Sequence, residues 1–468
     1  MRLVPYAFAL LLLPLAPAAA EEAAPGDGPD DGIATFTLAN GLEGVVIEDR
    51  RAAVVTHMVW YRVGAADDPP GLSGLAHFLE HMMFKGTETL DEGEFSRIVR
   101  ANGGEDNAFA SYDYTGYIQR IASDRLDLVM SMEADRMANL APSPASAISE
   151  LDVVIEERRQ VVENTPGGVF GEQRRAIQYL NHPYQRPVIG WMHEIERLTL
   201  DAAMDFYAEH YGPNNAILIV AGDASVEEVQ ALAEQHFGPI PPNPNVAERE
   251  RVAEPPHIAA RRLEYRDPRV QNPYVIRSYL TEPRRPADQA EAAALTVLAD
   301  VLGRGITSVL ARELRVEDDF ALDTGAFYGD TALDLTTFGI YVIPNPGIPL
   351  EEAEARMDAV IERFLEEGPD PDQLERIKTQ IRASEIYALD NLGSRARRIG
   401  VALTSGLTIE DVRAWPDALE AVTAEEVVAA ARAVFRPETS VTGWLLGTGE
   451  ATGDGPTDIG IGTEILGE

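Results

Sequence analysis

The sequence predicts an α+β protein of two homologous domains, each with a mostly antiparallel sheet packed by helices. Apolar segments with the alternation typical of strands lie between segments of helical periodicity in both halves of the chain. Six prolines between residues 238 and 256 interrupt this pattern, and a similar order of elements begins again after them. With 468 residues, 45% of them hydrophobic, the chain is long and apolar enough for more than one core.

The first half starts with strands that are separated by turn residues. Asn40-Gly41 and Asp49–Arg51 are turn signals between alternating apolar runs, and Asn102–Gly104 ends a helical pattern. Strands are therefore expected at 36–38, 45–47, 54–63, 108–121 and 216–221. Helices are expected at 72–83, 92–101, 126–139, about 145–164 and 225–236.

The second half repeats the order of strands and helices of the first half, although few of its residues are identical. Strands are expected at 261–265, 274–280, 321–327 and 338–343, where apolar and polar residues alternate. Helices are expected at 287–302, 306–316, 350–367 and 371–390, where the apolar residues recur with helical spacing.

The first twenty residues have the pattern of a secretory signal peptide. Arg2 is followed by a short apolar run, and Ala18-Ala19-Ala20 provides small residues at the spacing of a cleavage site. The alternative is a retained membrane anchor, but three prolines interrupt the run, which is shorter than the ~20 apolar residues that span a bilayer. No later segment is apolar enough to cross a membrane, so we expect a periplasmic or secreted protein.

Composition excludes several classes of function. The chain has no cysteine, which rules out disulfides, thiolate metal sites, a cysteine nucleophile and a lipid anchor on an N-terminal cysteine. There are 77 acidic and 39 basic residues, for a formal net charge of −38. A surface this acidic makes nucleic acid and anionic membranes unsuitable partners.

The segment from Gly71 to Gly86 contains the motif His-x-x-Glu-His. On a helix, His77 and His81 lie one turn apart on the same face, so both imidazoles can reach one ion. Two imidazoles and a carboxylate suit Zn²⁺ with one open position, and Glu80 is placed to accept a proton from a water molecule there. The alternative is a pair of structural or surface histidines that share a helix face by chance.

A third ligand has to come from elsewhere in the chain. The predicted helix at about 145–164 offers Glu150, Glu156 and Glu157. Glu150 and Glu157 are two turns apart and therefore share a face. Spacing alone does not choose among the three, and a charged helix that simply faces solvent is the alternative.

These motifs resemble the inverted-zincin M16 metallopeptidases, the pitrilysin, insulin-degrading enzyme and mitochondrial processing peptidase group, and most closely their short bacterial M16B-type branch. The resemblance extends from about residue 34 to about residue 445 and is specific at His77–Gly86 and at the Glu150–Glu157 pair. It implies the half-clamshell fold of the M16 / LuxS-like metallohydrolases. It also implies a zinc-dependent endopeptidase that hydrolyses extended peptides or unfolded segments. The alternative is a non-catalytic M16-like assembly or scaffold subunit.

The family pattern implies a role for each matching residue. It makes His77, His81 and Glu157 the zinc ligands, Glu80 the general base and Glu150 a supporting catalytic carboxylate. It also implies an edge strand that binds the substrate peptide as an additional strand. The residues of that strand are Asn107, Ala108, Phe109 and Ala110, which the alternative interpretation treats as an ordinary strand after a Gly-Gly turn.

One position departs from the family pattern. Arg315 matches an arginine that closes over the substrate, but Leu322 stands where a tyrosine is expected. Leucine cannot donate a hydrogen bond. We therefore expect a second M16-like chain to supply this function in a heterodimer. The alternatives are that this branch of the family needs no such tyrosine, or that the chain forms a homodimer.

The resemblance also suggests how the chain is divided. We expect a signal peptide at 1–20 and a disordered leader at 21–31. The catalytic zinc-binding domain is expected at 32–240, a linker at 241–256, a domain without metal at 257–446 and a disordered tail at 447–468.

Overall fold

A computed structural model describes residues 32–448, except for the side chains of residues 388–390. The expected signal peptide, the leader and most of the expected tail lie outside the described residues. Within the described part of the chain, no helix is both long and apolar enough to cross a membrane.

Two sheets account for the strands. They are β1 (Ile33–Thr37), β2 (Glu43–Glu48), β3 (Val54–Tyr61), β4 (Glu105–Ala110), β5 (Thr115–Ala122), β6 (Ala216–Gly222), β7 (Arg261–Arg266), β8 (Tyr274–Thr281), β9 (Ala321–Tyr328), β10 (Thr336–Pro344) and β11 (Val441–Leu446). The helices are α1 (Leu75–Met82), α2 (Glu94–Ala101), α3 (Leu126–Ala138), α4 (Pro144–Arg158), α5 (Pro166–Gln178), α6 (Met192–Ile195), α7 (Leu200–His210), α8 (Val226–His236), α9 (Ala290–Gly303), α10 (Val309–Ala311), α11 (Leu350–Glu367), α12 (Pro371–Asp390), α13 (Leu392–Thr404), α14 (Ile409–Ala421) and α15 (Ala424–Val434).

The two sheets share one strand arrangement. The first has the order β1-β2-β6-β3-β5-β4, and the second has the order β7-β11-β8-β10-β9. In each sheet one pair is parallel, β2 with β6 and β7 with β11, and all other pairs are antiparallel. Strand for strand, β2-β6-β3-β5-β4 corresponds to β7-β11-β8-β10-β9. The predicted fold class and the repeated order of elements are confirmed.

Helices cover one face of each sheet with a separate core. In the first core, α1, α3, α7 and α8 bury apolar residues such as Leu79 and Phe206 against the sheet. In the second core, α9, α11 and α15 bury residues such as Leu298 and Met357. Burial of these faces provides most of the favourable free energy of folding.

The opposite faces of the sheets are covered by exchanged helices. Helix α5 of the first half packs on the second sheet through Phe170, and α13 of the second half packs on the first sheet against Trp60. Glycine permits both contacts: a Cβ on Gly443 would lie 2.5 Å from the ring of Phe170, and one on Gly400 would lie 2.1 Å from the ring of Trp60. Each half of the chain therefore completes the packing of the other.

Three predicted elements are wrong in extent. The strand expected at 108–121 is the hairpin of β4 and β5, because the chain turns at Ser111–Tyr114. The helix expected at about 145–164 ends at Arg158 and continues as a π-helical turn over Arg159–Glu163. The helix expected at 306–316 is only the short α10 followed by another π-helical turn. The structure also contains α5–α7, α13–α15 and β11, for which the sequence patterns gave no assignment.

Candidate metal centre

Helix α1 carries the His-x-x-Glu-His motif, and its first turn is held by a buried carboxylate. The two oxygens of Asp68 accept hydrogen bonds from the backbone N–H groups of Gly74 and Ala76, both at 2.8 Å. These N–H groups have no partner within the helix, so the carboxylate replaces the missing acceptors. Gly74 begins the helix with φ +89°, a conformation that favours glycine. The apolar face of this helix is buried, and its residues are Leu75, Phe78, Leu79 and Met82.

The two histidines meet Glu157 of helix α4. The Oε2 atom of Glu157 lies 3.4 Å from Nε2 of His81 and 3.7 Å from Nε2 of His77. The two imidazole rings have centroids 4.8 Å apart, and one candidate ligand atom from each of the three residues lies within 4.8 Å of the others. Side chains that are about 76 positions apart in the sequence are thus brought to one point.

The three candidate carboxylates of α4 have different surroundings. Glu157 faces both histidines, whereas Oε1 of Glu150 lies 2.8 Å from Nδ1 of His81, on the other side of that ring. Glu156 is exposed and its carboxylate lies 3.5 Å from Arg159 on the surface. The three carboxylates therefore differ in position: Glu157 lies beside both histidines, Glu150 lies behind the ring of His81, and Glu156 lies in solvent.

The donor set fits zinc. Zinc bonds to nitrogen and oxygen of about 2.0–2.2 Å in tetrahedral geometry place ligand atoms roughly 3.4 Å apart. The distances from Glu157 to the two imidazoles are close to this value. In addition, Oε2 of Glu80 is buried and has no hydrogen-bond partner in the described part of the chain. A buried carboxylate oxygen of this kind requires a partner such as a water molecule beside the ion.

Burial and charge set the protonation of the site. Burial raises the pKa of Glu80 to about 7, with the charge of His81 opposing this rise. Burial lowers the pKa of His77 to about 4. Burial also acts to lower the pKa of His81, but hydrogen bonds to Glu150 and Glu157 outweigh it and raise that pKa to about 9. These directions describe the side chains without an ion, whose charge favours neutral imidazoles.

Helix α4 is fixed next to α1 by the residue that follows Glu157. The guanidinium of Arg158 is buried, donates to both carboxylate oxygens of Glu172 and donates to the carbonyl of Gly190 at 2.6 Å. Directly after Arg158 the helix widens into its π-helical turn. Turns of this type inside α-helices are frequent at functional sites.

Comparison with known proteins identifies the family. A sequence profile described as "Insulinase (Peptidase family M16)" matches residues 44–191, and one described as "Peptidase M16 inactive domain" matches residues 197–381. The zinc protease PqqE of Helicobacter pylori is 31% identical over 363 residues, which cover 76% of this chain and 80% of the relative. The chain belongs to peptidase family M16.

Solved structures show the same M16 fold. The crystal structure of a protease from Helicobacter pylori superposes with a TM-score of 0.82 at 28% identity, over 88% of this chain and 99% of that one. The periplasmic protease PqqL of Escherichia coli superposes with a TM-score of 0.78 at 19% identity, over 93% of this chain but only 50% of PqqL. At the level of the family, the M16 assignment and the names of the relatives support a peptidase that uses zinc.

In this M16 chain, the expected substrate strand is the edge strand β4. Among residues 32–448 it pairs only with β5, so its other side is open to an additional strand. The backbone of Ala110 is close enough to Glu80 to act against the burial that raises the pKa of this carboxyl, so the end of β4 lies near the metal cluster. Ala108 packs toward the first core, whereas Phe109 packs on the opposite face against Trp60. Asn107 uses its own Oδ1 to accept a hydrogen bond from the next backbone N–H.

Arg315 is placed elsewhere in this M16 fold. It lies in the π-helical turn after α10, where its guanidinium donates to Asp323 of β9 at 2.8 Å. None of the hydrogen bonds or ion pairs described for Arg315 joins it to the metal cluster. Leu322, at the position of the expected tyrosine, is 43% exposed on β9, the edge strand of the second sheet.

Three functional neighbours were not assigned a role from the sequence. Asp68 had no usual capping signal, because it lies six residues before Gly74, the residue at the N-cap of α1. Lys85 lies four residues after His81, so helical spacing placed it near that face. Arg158 had no local signal, because its partners Glu172 and Gly190 belong to later segments.

Proposed function

We propose that this M16 chain is a zinc-dependent endopeptidase that hydrolyses extended peptides or unfolded segments. The observation that carries the proposal is the convergence of His77, His81 and Glu157 beside the buried carboxylate of Glu80. A scaffold subunit has no need for three ligand atoms within 4.8 Å of one another next to an unpartnered carboxylate oxygen.

The chain's own side chains have distinct roles in this proposal. His77, His81 and Glu157 hold the ion, and when bound, zinc lowers the pKa of a water molecule and polarises the substrate carbonyl. Glu80 accepts the proton of that water at Oε2 and later delivers it to the leaving amine. Glu150 orients the imidazole of His81 from behind.

The position of β4 supports an extended substrate. A peptide that pairs with this edge strand is recognised through its main chain and lies next to Glu80. We therefore propose Asn107, Ala108, Phe109 and Ala110 as the substrate-binding segment, acting through their backbone. Since Phe109 packs away from the metal cluster, side-chain specificity has to come from other residues.

The proposal includes a partner chain and an exported location. PqqL is described as periplasmic and is about twice as long as the region that this chain matches. A second M16-like chain, or a second copy of this one, would take the place of the other half of such a protein. We propose Arg315 of this chain as a substrate-binding residue, and the second chain would supply the hydrogen-bond donor that Leu322 lacks. We further propose that 32–240 is the zinc-binding domain, 241–256 the linker and 257–446 the domain without metal.

The decisive experiment compares wild type with Glu80→Gln and two neighbouring variants. Wild type is expected to bind one zinc per chain and to cleave an unstructured fluorogenic peptide, and Glu80→Gln is expected to keep the zinc and lose cleavage. Glu157→Gln should lose zinc, whereas the matched control Glu156→Gln should retain both properties, because Glu156 faces solvent. Equal cleavage by wild type and Glu80→Gln would contradict the endopeptidase and leave a scaffold role. Full activity of the purified single chain as a monomer would contradict the partner.

A further inference from the structure

The chain contains only two lysines among its 39 basic residues, Lys85 and Lys378. Lys85 lies three residues after the end of helix α1, and its side chain is only 17% exposed. We infer that Lys85 is a positioning residue for the metal centre: it fixes the carboxylate of Glu150, which holds His81 with Nε2 toward the ion. This inference rests on the proposed zinc site and adds a residue to it.

A continuous series of polar contacts connects Lys85 with the metal cluster. Its Nζ atom lies 2.5 Å from Oε2 of Glu150, and Oε1 of the same carboxylate lies 2.8 Å from Nδ1 of His81. On its other side, Nζ lies 3.3 Å from Oε1 of Glu92. Oε2 of Glu92 in turn accepts a hydrogen bond from the hydroxyl of Ser146 at 2.6 Å. Both oxygens of both carboxylates are thus engaged.

The contact with Glu150 determines which nitrogen of His81 is available. An imidazole whose Nδ1 donates to a carboxylate carries its proton there, which leaves the lone pair of Nε2 for a metal. Nε2 is the atom that faces Glu157 in the cluster. Because Lys85 holds the second oxygen of Glu150, that carboxylate cannot rotate away from His81 or turn into the cluster as a competing ligand.

An ordinary surface ion pair does not explain this arrangement. Exposed pairs contribute little because water screens them and both side chains are free to move. Here the side chain of Glu150 is only 12% exposed, so removal of the cation leaves a shielded carboxylate beside a second one, Glu92. The compact ammonium of lysine has three N–H donors and can bind two carboxylates at once. The planar guanidinium of arginine is less suited to this geometry.

The matched control is the other lysine of the chain. Lys378 is similarly shielded at 13% exposure, but its Nζ donates to the backbone carbonyl of Val422 in the second half. It has no described contact with the metal cluster. Replacing either lysine by methionine removes one charge and keeps most of the apolar stem, so the two variants differ mainly in their place in the fold.

The test measures zinc affinity by competition with a chromophoric chelator in the full-length protein. Lys85→Met is expected to weaken zinc binding by about 10- to 100-fold, the usual effect of losing a group that orients a metal-binding histidine. Lys85→Arg should recover part of this loss, and Lys378→Met should bind as wild type does. In protein labelled with ¹⁵N-histidine, the Nδ1–H tautomer of zinc-bound His81 should dominate in wild type and be less populated in Lys85→Met.

Each outcome supports or overturns the inference. Equal affinity in Lys85→Met and wild type overturns it while leaving the proposed zinc site intact, whereas a wild type that binds no zinc overturns both. If Lys85→Met does not fold, Glu92→Gln provides the second measurement, since it disturbs Lys85 from the far side. Glu92→Gln is then expected to weaken zinc binding about threefold or more, in line with partial loss of orientation. No change in that variant also overturns the inference.

Discussion

Nη1 of Arg158 donates a hydrogen bond to the carbonyl oxygen of Gly190 at 2.6 Å, and this contact sets the position of one ligand helix against the other. Arg158 follows Glu157 in α4, and Gly190 lies against Gly74 at the start of α1. A Cβ on Gly190 would be 2.3 Å from the carbonyl oxygen of Ser73. The distance between the carboxylate and the histidines is therefore fixed by a close approach of backbones.

Replacement of Gly190 by alanine should disturb both folding and zinc binding. Gly190 has φ +91° and no space for a Cβ, so Gly190→Ala is expected to lower the free energy of unfolding by about 2–4 kcal/mol. Zinc affinity should fall as well, because α1 and α4 separate. Gly347→Ala is the matched control: its φ is +89° but its Cβ would meet no atom within 4 Å, so about 1 kcal/mol is expected. Urea unfolding measures the free energy of unfolding of the two variants. Equal losses of this free energy in Gly190→Ala and Gly347→Ala would argue against the close approach of the backbones.

The buried ion pair behind the metal helix should be costly to break. The guanidinium of Arg136 is bonded to Glu133 and lies 4.4 Å from the ring centres of Phe95 and Tyr117. Arg136→Met leaves Glu133 as an uncompensated buried charge, so a loss of about 3–5 kcal/mol is expected in urea unfolding. The exposed counterpart Arg97→Met removes a pair on the surface of α2 and should cost less than about 1 kcal/mol. Similar losses of unfolding free energy in the two variants would show that the buried ion pair stabilises the fold no more than the exposed one.

Zinc affinity should increase with pH. Because the pKa of His81 is about 9 without metal, this imidazole is protonated at pH 7 and has to release its proton when zinc binds. His77, with a pKa of about 4, is already neutral and contributes no proton. Affinity should therefore rise by up to about tenfold per pH unit from pH 7 and level off near pH 9. Calorimetry in buffers of different ionisation enthalpy should detect the proton that is released when zinc binds. Glu150→Gln should lower the number of protons released per zinc ion. A constant affinity between pH 7 and 9 would be evidence against this protonation.

Main-chain recognition at β4 can be tested with modified peptides. Methylation of a single backbone nitrogen removes a donor for strand pairing, so kcat/KM should fall by about tenfold or more at alternate positions near the cleaved bond. Alanine substitution of the peptide side chains should change kcat/KM less. If N-methylation at every position has the same small effect as alanine, the peptide does not bind as an added strand.

The metal helix could be predicted because its signal is local. His77 and His81 are four residues apart, and the apolar residues around them repeat with the same period. The ligand carboxylate could not be chosen in this way. Glu150 and Glu157 share a face, and their different positions around His81 follow from the way α4 crosses α1, which depends on the contact of Arg158 with Gly190.

The hairpin of β4 and β5 was missed for a similar reason. Its turn, Ser111–Tyr114, contains no glycine, proline or asparagine, and its two turn-forming residues, Ser111 and Asp113, alternate with tyrosines, which favour strands. The carboxylate of Asp113 accepts hydrogen bonds from Tyr184 and from Arg251, the latter at 2.7 Å. These partners are far away in the sequence, and they stabilise a turn that local propensity indicates only weakly.

The exchange of α5 and α13 between the two sheets has a consequence for cutting the chain. After a protease cuts the segment between β6 and β7, each fragment still packs against a helix of the other. The two fragments should therefore elute together in gel filtration and dissociate only in denaturant. Either fragment made by itself would present a bare apolar surface, around Trp60 in one and opposite Phe170 in the other. Each should then be recovered as insoluble material, whereas coexpression should restore a soluble complex.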